Sequence, residues 1–363
     1  MMLSPQSQLL ERNLEMFEMG EWLLVNPADA YFTDLLSHRE LHVLHQYFDV
    51  FSESVRVVPS ITLDSRDISN SPQGFSVEQQ VGNHLHTFSP FSLTQGRYTD
   101  VLIYLPKAKA HLQMLLQMAA SCVKPGGNIH LVGENKGGIK SAAKLSNHYG
   151  TTIKVDSARH CSLLTTSVEQ PAGLFDPEKW LEYREYETLD VSWHVASLPG
   201  VFSHTQLDDG TELLLQKVAA NLSGTVLDFA CGSGVVGSYL LKQYPHLGMV
   251  MSDVSAPALY SAARTLSENN QAATLIAANG LHGVDEKFNH IVTNPPFHTG
   301  IKTDYSITKR FISDARRLLK GSGTLTMVAN RFLPYPGLLQ ESFPQVRTVA
   351  QNSKFSIYLA ISG

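Results

Sequence analysis

In the second half of the chain, short apolar runs alternate with stretches of helical periodicity, the pattern of an α/β protein built on a parallel sheet. Residues 225–228 read as a buried strand that runs into Cys231-Gly232-Ser233-Gly234, and residues 235–243 then have helical spacing. Further strands are predicted over 247–253, 272–278 and 290–293, with a helix over 258–268. The strand at 290–293 ends at Asn294-Pro295-Pro296, where paired prolines take the chain out of the sheet. Residues 325–329 and 355–360 complete the series.

From residue 99 the first half repeats this pattern. Val101-Leu102-Ile103-Tyr104-Leu105-Pro106 aligns with Ile291-Val292-Thr293-Asn294-Pro295-Pro296, and each segment is followed by a helix and a glycine-containing turn. Strands at 129–132 and 325–328 come next, with the register shifted by six residues, which puts an insertion in the second copy just after Pro296. The expected fold is therefore α/β, with two tandem Rossmann-like domains. The boundaries read as 1–170 for the first domain, 171–198 for a solvated connector carrying Glu178, Glu182, Glu185 and Glu187, and 199–363 for the second. No glycine occurs between Gly20 and Gly74, so a cofactor loop is expected only in the second copy.

The 363 residues are 43% hydrophobic and 17% charged, which excludes charge-driven disorder. A net charge of -5 excludes nucleic-acid binding through bulk charge, so any such binding needs a local basic surface. Three scattered cysteines argue against a disulfide framework. The fifteen histidines include His42/His45 and His84/His86, which lack acidic or cysteine partners at ligand spacing, and no metal is expected. With no signal-like start and no apolar stretch near the roughly 20 residues of a membrane span, a cytoplasmic protein without membrane association is expected.

Asp228-Phe229-Ala230-Cys231-Gly232-Ser233-Gly234 falls at the carboxyl end of a strand, where open α/β sheets bind ligands. Gly232, Gly234 and Gly237 also spell a dinucleotide string, and Asp253 suits two ribose hydroxyls of either NAD or S-adenosylmethionine. Asp228 separates the two. A carboxylate beside the loop opposes a pyrophosphate and favours the cationic groups of S-adenosylmethionine.

Asn294-Pro295-Pro296-Phe297 carries the most specific signal. The lone pair of an amino group on a base or amide is delocalised, so the nitrogen is a poor nucleophile. Two acceptors, the Asn294 side-chain oxygen and the Pro295 carbonyl, can take its two N–H donors and favour a tetrahedral nitrogen. Phe297 offers a face on which an extruded base stacks. Guanine N2, adenine N6 and a protein glutamine all suit this motif.

These residues resemble the class I methyltransferase series, and the chain is similar to the bacterial ribosomal RNA small subunit methyltransferase C group. Leu198-Pro199-Gly200-Val201-Phe202-Ser203, residues 252–258, residues 294–298 and Gly133-Glu134-Asn135-Lys136-Gly137-Gly138 carry the likeness. The resemblance implies methylation of a guanine N2 in 16S rRNA of the small ribosomal subunit, with no obligate protein partner. It also implies a degenerate first domain, without cofactor, that aids folding and RNA binding. By the same resemblance Ala230, Cys231, Gly232 and Gly234 hold the methionine part of S-adenosylmethionine, Asp253 the ribose, Asn279 the adenine, and Asn294 the target amine, with Val254 and Asn294 also counted among the cofactor contacts. Ala230 stands where many methyltransferases have glycine, and its methyl group is tolerated there if φ is negative.

From Lys302 to Arg331 seven basic residues face two acidic ones. A helix over about 305–319 is expected to bury Ile307, Phe311, Ala315, Leu318 and Leu319. Lys309, Arg310, Arg316, Arg317 and Lys320 lie opposite and, with Lys302, are candidates for RNA phosphates.

Overall fold

The computed structural model describes residues 3–56, 58–169, 172–202, 206–218, 222–295 and 305–363. Two compact units emerge. Met1–Val58, Ser71–Leu181 and Leu198–Gly200 form one; Pro59–Asn70, Glu182–Ser197 and Val201–Gly363 form the other. The chain begins with α1 (Pro5–Glu11), β1 (Trp22–Val25), β2 (Leu41–His45) and α2 (Phe48–Val55), then places β3 (Ser60–Asp64) and α3 (Ser65–Asn70) in the second unit. The first unit continues with β4 (Val77–Val81), β5 (His84–Phe88), β6 (Tyr98–Tyr104), α4 (Lys109–Cys122), β7 (Val123–Glu134), α5 (Ile139–Ser146), β8 (Gly150–Ala158) and β9 (Cys161–Val168). After β10 (Glu182–Thr188) and β11 (Val191–Ser197), the second unit is built from α6 (Asp209–Lys217), β12 (Thr225–Phe229), α7 (Val235–Gln243), β13 (Gly248–Asp253), α8 (Ala256–Glu268), β14 (Thr274–Ala278) and β15 (Phe288–Thr293). It closes with α9 (Tyr305–Leu318), β16 (Leu319–Asn330), α10 (Tyr335–Gln340), β17 (Gln345–Gln351) and β18 (Phe355–Ile361).

Each unit is organised on an eight-stranded sheet, in the order β4-β5-β2-β1-β6-β7-β9-β8 or β17-β18-β16-β15-β12-β13-β14-β3. Read from the same edge, seven strands of each follow one topology, and the eighth is the hairpin partner β4 in the first sheet and β3, from far earlier in the chain, in the second. In each, four parallel pairings join the five central strands and three antiparallel pairings add the rest. The strands buried on both sides carry apolar runs, as parallel strands covered by helices must. Register extends the match: Trp22 lies opposite Leu41 and Asp100, and Val226 opposite Met249 and His290. The ladders also break at the same place, between Tyr98 and Asp100 and between Phe288 and His290. α4 and α9 are both 14 residues long. The six-residue difference falls within 296–304, outside the described residues.

The boundaries drawn at 170 and 199 do not describe this partition. Residues 59–70 cross to the second unit, where β3 pairs antiparallel with β14, and Ser69 on α3 donates its hydroxyl to Ala263 O on α8 at 2.9 Å. The segment read as a solvated connector contains a hairpin of β10 and β11. Glu182, Glu185 and Glu187 are exposed, but Tyr186 and Trp193 are buried, and Trp193 meets the Tyr239 ring edge-on at 5.1 Å. Thr265 on α8 also accepts the Ala196 N–H at 2.9 Å. The hairpin is thus part of the second unit's packing.

In α9 the buried stripe is Thr308, Phe311, Ile312, Ala315 and Leu318, and Ile307, expected inside, is 56% exposed. Ile307 sits one residue, about 100° of helix, away from Thr308, which starts the stripe. Leu319 is buried but opens β16.

Candidate active site

The strand order of the second sheet reverses at β12, between β13 and β15, and a crevice opens outside the carboxyl ends of the strands at such a point. There Phe202, Leu207, Thr211, Asp228, Ala230, Cys231, Gly232, Ser233, Val235, Val236 and Asn294 line a pocket. The glycine loop owes its shape to a left-handed residue, Gly234 at φ +76, where an added Cβ would come within 3.1 Å of Ala262. Ala230 also has positive φ, +56, so the negative φ that would accommodate its methyl group without strain is not met. The turn from β12 demands this conformation, and an L-residue pays roughly 1–2 kcal/mol to hold it. Ala230→Gly is therefore expected to raise the unfolding free energy by up to about 1 kcal/mol once glycine's larger unfolded-state entropy is subtracted, measured as a higher denaturant midpoint.

Asp228 is 1% exposed and accepts the Gly237 N–H at 2.9 Å, in the first turn of α7. Burial, reinforced by the charge of Asp253, pushes its carboxyl up to about 8 although the Gly237 bond pulls the other way. Asp253 accepts from Gly232 N and Ser255 N, both at 2.9 Å, and its carboxyl is raised by burial. It thereby ties the glycine loop to the end of β13, with Val254 next in the turn. Cys231 is buried, and burial together with the two carboxylates holds its thiol well above the usual range, which removes it as a nucleophile. Asn279 stands exposed just beyond β14 and outside the pocket lining.

Asn294, just beyond β15, is the polar centre of the pocket. Its Nδ2 donates to Asp208 Oδ2 at 3.0 Å and to Thr211 Oγ1 at 2.9 Å. Both amide protons are used, so Oδ1 is the atom left to accept from a substrate. Asp208 is the N-cap of α6 and takes the Thr211 N–H at 2.9 Å through the same oxygen. Asp208 with Asp209 and Glu212 in the first turn is a helix-start signal in the sequence, yet nothing local to it signals the contact with Asn294. Pro295 is buried beside Asn294, whereas Pro296, Phe297 and Lys302 lie outside the described residues.

The first unit shows what this site looks like when dismantled. Register places Leu24 at the position of Asp228, Asn26 at that of Ala230, His45 at that of Asp253 and Tyr104 at that of Asn294. Asn26 keeps the left-handed φ of +56. Ser4 caps α1 as Asp208 caps α6, and Ser7 Oγ meets the Tyr104 hydroxyl at 3.0 Å, as Thr211 meets Asn294. Both carboxylates are gone. His45, held neutral by burial, pairs with His86 at 2.9 Å.

The basic strip does not gather at the pocket. Lys320 bonds Asn289 Oδ1 at 3.0 Å at the opposite, amino-terminal ends of β12 and β15, and Arg316 bonds Ser362 at 2.8 Å. Arg317 lies near Asp285 and Asp314, Arg310 near Asp314, and Lys309 near Glu341. These are the pairings of a solvated helix face.

Ser233 Oγ is 1% exposed and has no hydrogen-bond partner among the described residues, so the pocket fits a ligand that bonds it. With Asp228 for a cationic group and backbone free to approach at Gly232, these residues suit S-adenosylmethionine.

Residues 192–359 match the Methyltransferase small domain, and residues 62–183 match the Methyltransferase small domain N-terminal. The chain is 61% identical over 360 residues to ribosomal RNA small subunit methyltransferase C of Alteromonas mediterranea, covering 99% of each chain. Its counterpart in Shewanella baltica is 36% identical over 345 residues, covering 93% of this chain and 99% of that one. The solved T. thermophilus 16S rRNA N2 G1207 methyltransferase, in complex with AdoMet and guanosine, superposes with a TM-score of 0.79 at 22% identity, covering 99% of this chain and 92% of that one. That likeness carries the two-unit fold.

Proposed function

The chain belongs to the ribosomal RNA small subunit methyltransferase C family, and from that premise we propose that it transfers a methyl group from S-adenosylmethionine to the exocyclic N2 of a guanine in 16S rRNA. The observation that carries the reading is the Asn294 amide, whose two N–H groups are held by Asp208 and Thr211 so that its oxygen is presented to a substrate. S-adenosylmethionine supplies an electrophilic methyl carbon. Asp228 and the Ala230–Gly234 loop hold its methionine part, Asp253 and Val254 its ribose, and Asn279 its adenine. Asn294 Oδ1 and the Pro295 carbonyl take the two N–H bonds of the target amine and steer its lone pair out of the ring plane. No strong base is needed before transfer: as the N–C bond forms and the donor's S–C bond breaks, the nitrogen becomes strongly acidic and then loses one N–H proton to water, leaving S-adenosylhomocysteine. Pro296 and Phe297 complete the motif, with Phe297 stacking the base.

On this reading the first unit, its cofactor positions replaced by Leu24, His45 and Tyr104, supports folding and RNA docking, and the reaction takes place in the cytoplasm on the small subunit. Among the described residues no helix is long and apolar enough to cross a membrane. The test is labelled methyl transfer to small subunits that lack the modification, followed by nucleoside analysis. N2-methylguanosine is the expected product; label in N6-methyladenosine or in a protein glutamine would refute the assignment.

Thr211 and Asp208 act through Asn294 as positioning residues. Thr211→Val removes one hydrogen bond to the amide and is expected to lower kcat about 3–10-fold with KM and cofactor affinity unchanged. Thr211→Ser keeps the hydroxyl and is expected to retain the wild-type rate. Equal kcat in the Val and Ser variants would count against the role.

A further inference from the structure

The carboxyl rim of the second unit carries a surface that none of the preceding chemistry uses. β16 runs beside β15 with Met327 opposite Thr293, so the chain leaving β16 turns next to the segment that carries Asn294. In that turn Leu333 N bonds Asn330 O at 3.1 Å, and Leu333 and Tyr335 are buried in the core cluster. Between these anchors Arg331 is exposed and Phe332 is 82% exposed, the highest value among the large hydrophobic side chains of the described residues. Burial of its neighbours holds the loop, so the Phe332 ring contributes little to the fold. Among the described residues no carboxylate pairs with Arg331.

A second turn lies alongside. Arg331 N donates to Lys354 O at 2.8 Å, and Asn330 pairs with Phe355. Lys354 is exposed, and its Nζ reaches Asp209 Oδ2 at 3.1 Å. The Phe355 ring packs on the first turn of α6: a methyl group at Gly210 would meet it at 3.2 Å and Asp208 at 3.0 Å. Asp208 is the residue that holds Asn294. One rim therefore carries two exposed cations, an exposed ring and, through Phe355 and Asp208, a short route to the candidate acceptor.

We infer that Arg331, Phe332 and Lys354 form a docking surface for single-stranded RNA next to the target nucleotide, with a neighbouring base stacked on Phe332 and backbone phosphates held by the two cations. The inference rests on the proposed rRNA activity. An aromatic face flanked by cations is the arrangement that tracks an unpaired strand, because every base has a π-face and every nucleotide a phosphate. It also assigns the RNA charge requirement to the rim, and not to Arg316, Arg317 and Lys320 at the far end of the sheet. Lys354 exchanges a solvated partner, Asp209, for phosphate, a surface ion pair that costs little to open.

The test uses the full chain with S-adenosylhomocysteine present and a protein-free 16S rRNA fragment containing the target guanine, and reads the Kd for RNA separately from turnover. Phe332→Ala is expected to raise the RNA Kd and the KM about 10-fold while kcat and cofactor Kd stay within twofold. Phe332→Trp is expected to restore binding, and Phe332→Leu to fail. The double variant R331A/K354A is expected to weaken binding and reduce the slope of log Kd against log salt by about 1–2. Arg317→Ala is the control, expected to bind as wild type. RNA affinity within twofold of wild type in both the Phe332→Ala and double variants would overturn the inference. So would variants that bind naked RNA normally but lose the protein-bearing subunit, since the surface would then belong to a ribosomal protein. A wild-type protein that binds the fragment but, given S-adenosylmethionine, produces no N2-methylguanosine on small subunits that lack the modification overturns the proposed activity instead, and the binding data still decide the surface.

Discussion

Replacing Asn294 with alanine is expected to cut methyl transfer by about 10²–10³-fold while S-adenosylmethionine binds within a few-fold of wild type. The magnitude follows from the type of interaction lost. A preorganised polar atom aimed at the charge that develops in the transition state is worth roughly that factor, because it acts without reorganising at the moment of reaction. Asn294 is preorganised in this sense, since Asp208 and Thr211 fix its amide at 3.0 and 2.9 Å. Asn294→Asp is a sharper probe. It keeps an acceptor but loses both donors and sets a second carboxylate against Asp208, so the two cannot both ionise in that geometry. At neutral pH it is expected to be impaired at least 10-fold, despite the near-identical shape. Single-turnover methyl transfer and calorimetric cofactor binding separate the effects. A wild-type single-turnover rate in Asn294→Ala would remove Asn294 from the chemistry.

What the sequence discloses follows the range of the forces involved. Buried parallel strands announce themselves as apolar runs, and the duplicated pattern, including its six-residue shift, can be read because both copies solve the same packing problem. β3 cannot be read in this way: Ser60–Asp64 is a half-exposed edge strand with no buried alternation, and its partner β14 lies more than two hundred positions along the chain. The hairpin at 182–197 was disguised by its glutamates, which occupy its solvent face while Tyr186 and Trp193 point inward. The glycine loop and the Asn294-Pro295 segment stand out in the sequence because each is contiguous, and Asn294 and the loop line one pocket. Asp208 was not, since its capping role is local but its bond to Asn294 spans 86 positions. The basic strip shows the converse limit. Periodicity locates a charged helix face but carries no information about which end of the sheet each cation lies on, and Arg316, Arg317 and Lys320 are paired near the amino-terminal edge.

Asp228→Asn is expected to make the ligand-free protein more stable at pH 8 and to weaken S-adenosylmethionine binding at least 10-fold. The folded carboxyl holds its proton up to about pH 8, whereas in the unfolded chain it ionises near the ordinary value of 3.8. Between those values the folded state binds more protons, so this group's contribution to stability falls as pH rises, and above about 8 the loss is complete. At about 1.4 kcal/mol per pH unit the penalty at pH 8 is on the order of several kcal/mol. Asparagine cannot ionise and can still accept the Gly237 N–H, but its buried NH₂ costs roughly 1–3 kcal/mol, leaving a net gain on the order of a few kcal/mol. Thermal melts from pH 5 to 8.5 are expected to show a falling midpoint for the wild type and a flatter profile for the variant. Binding carries the opposite sign. A cationic ligand in the pocket favours the carboxylate, so wild-type affinity is expected to rise toward pH 8 with uptake of the ligand releasing protons, and the variant is expected to show neither effect. A lower melting temperature for Asp228→Asn at pH 8 would mean that burial does not strain this carboxyl. An unchanged affinity would mean that the strain serves no ligand. With both expectations met, the buried acid would be an instability retained for the cofactor, and Leu24 at the same position of the first unit would be the form the site takes once that demand is gone.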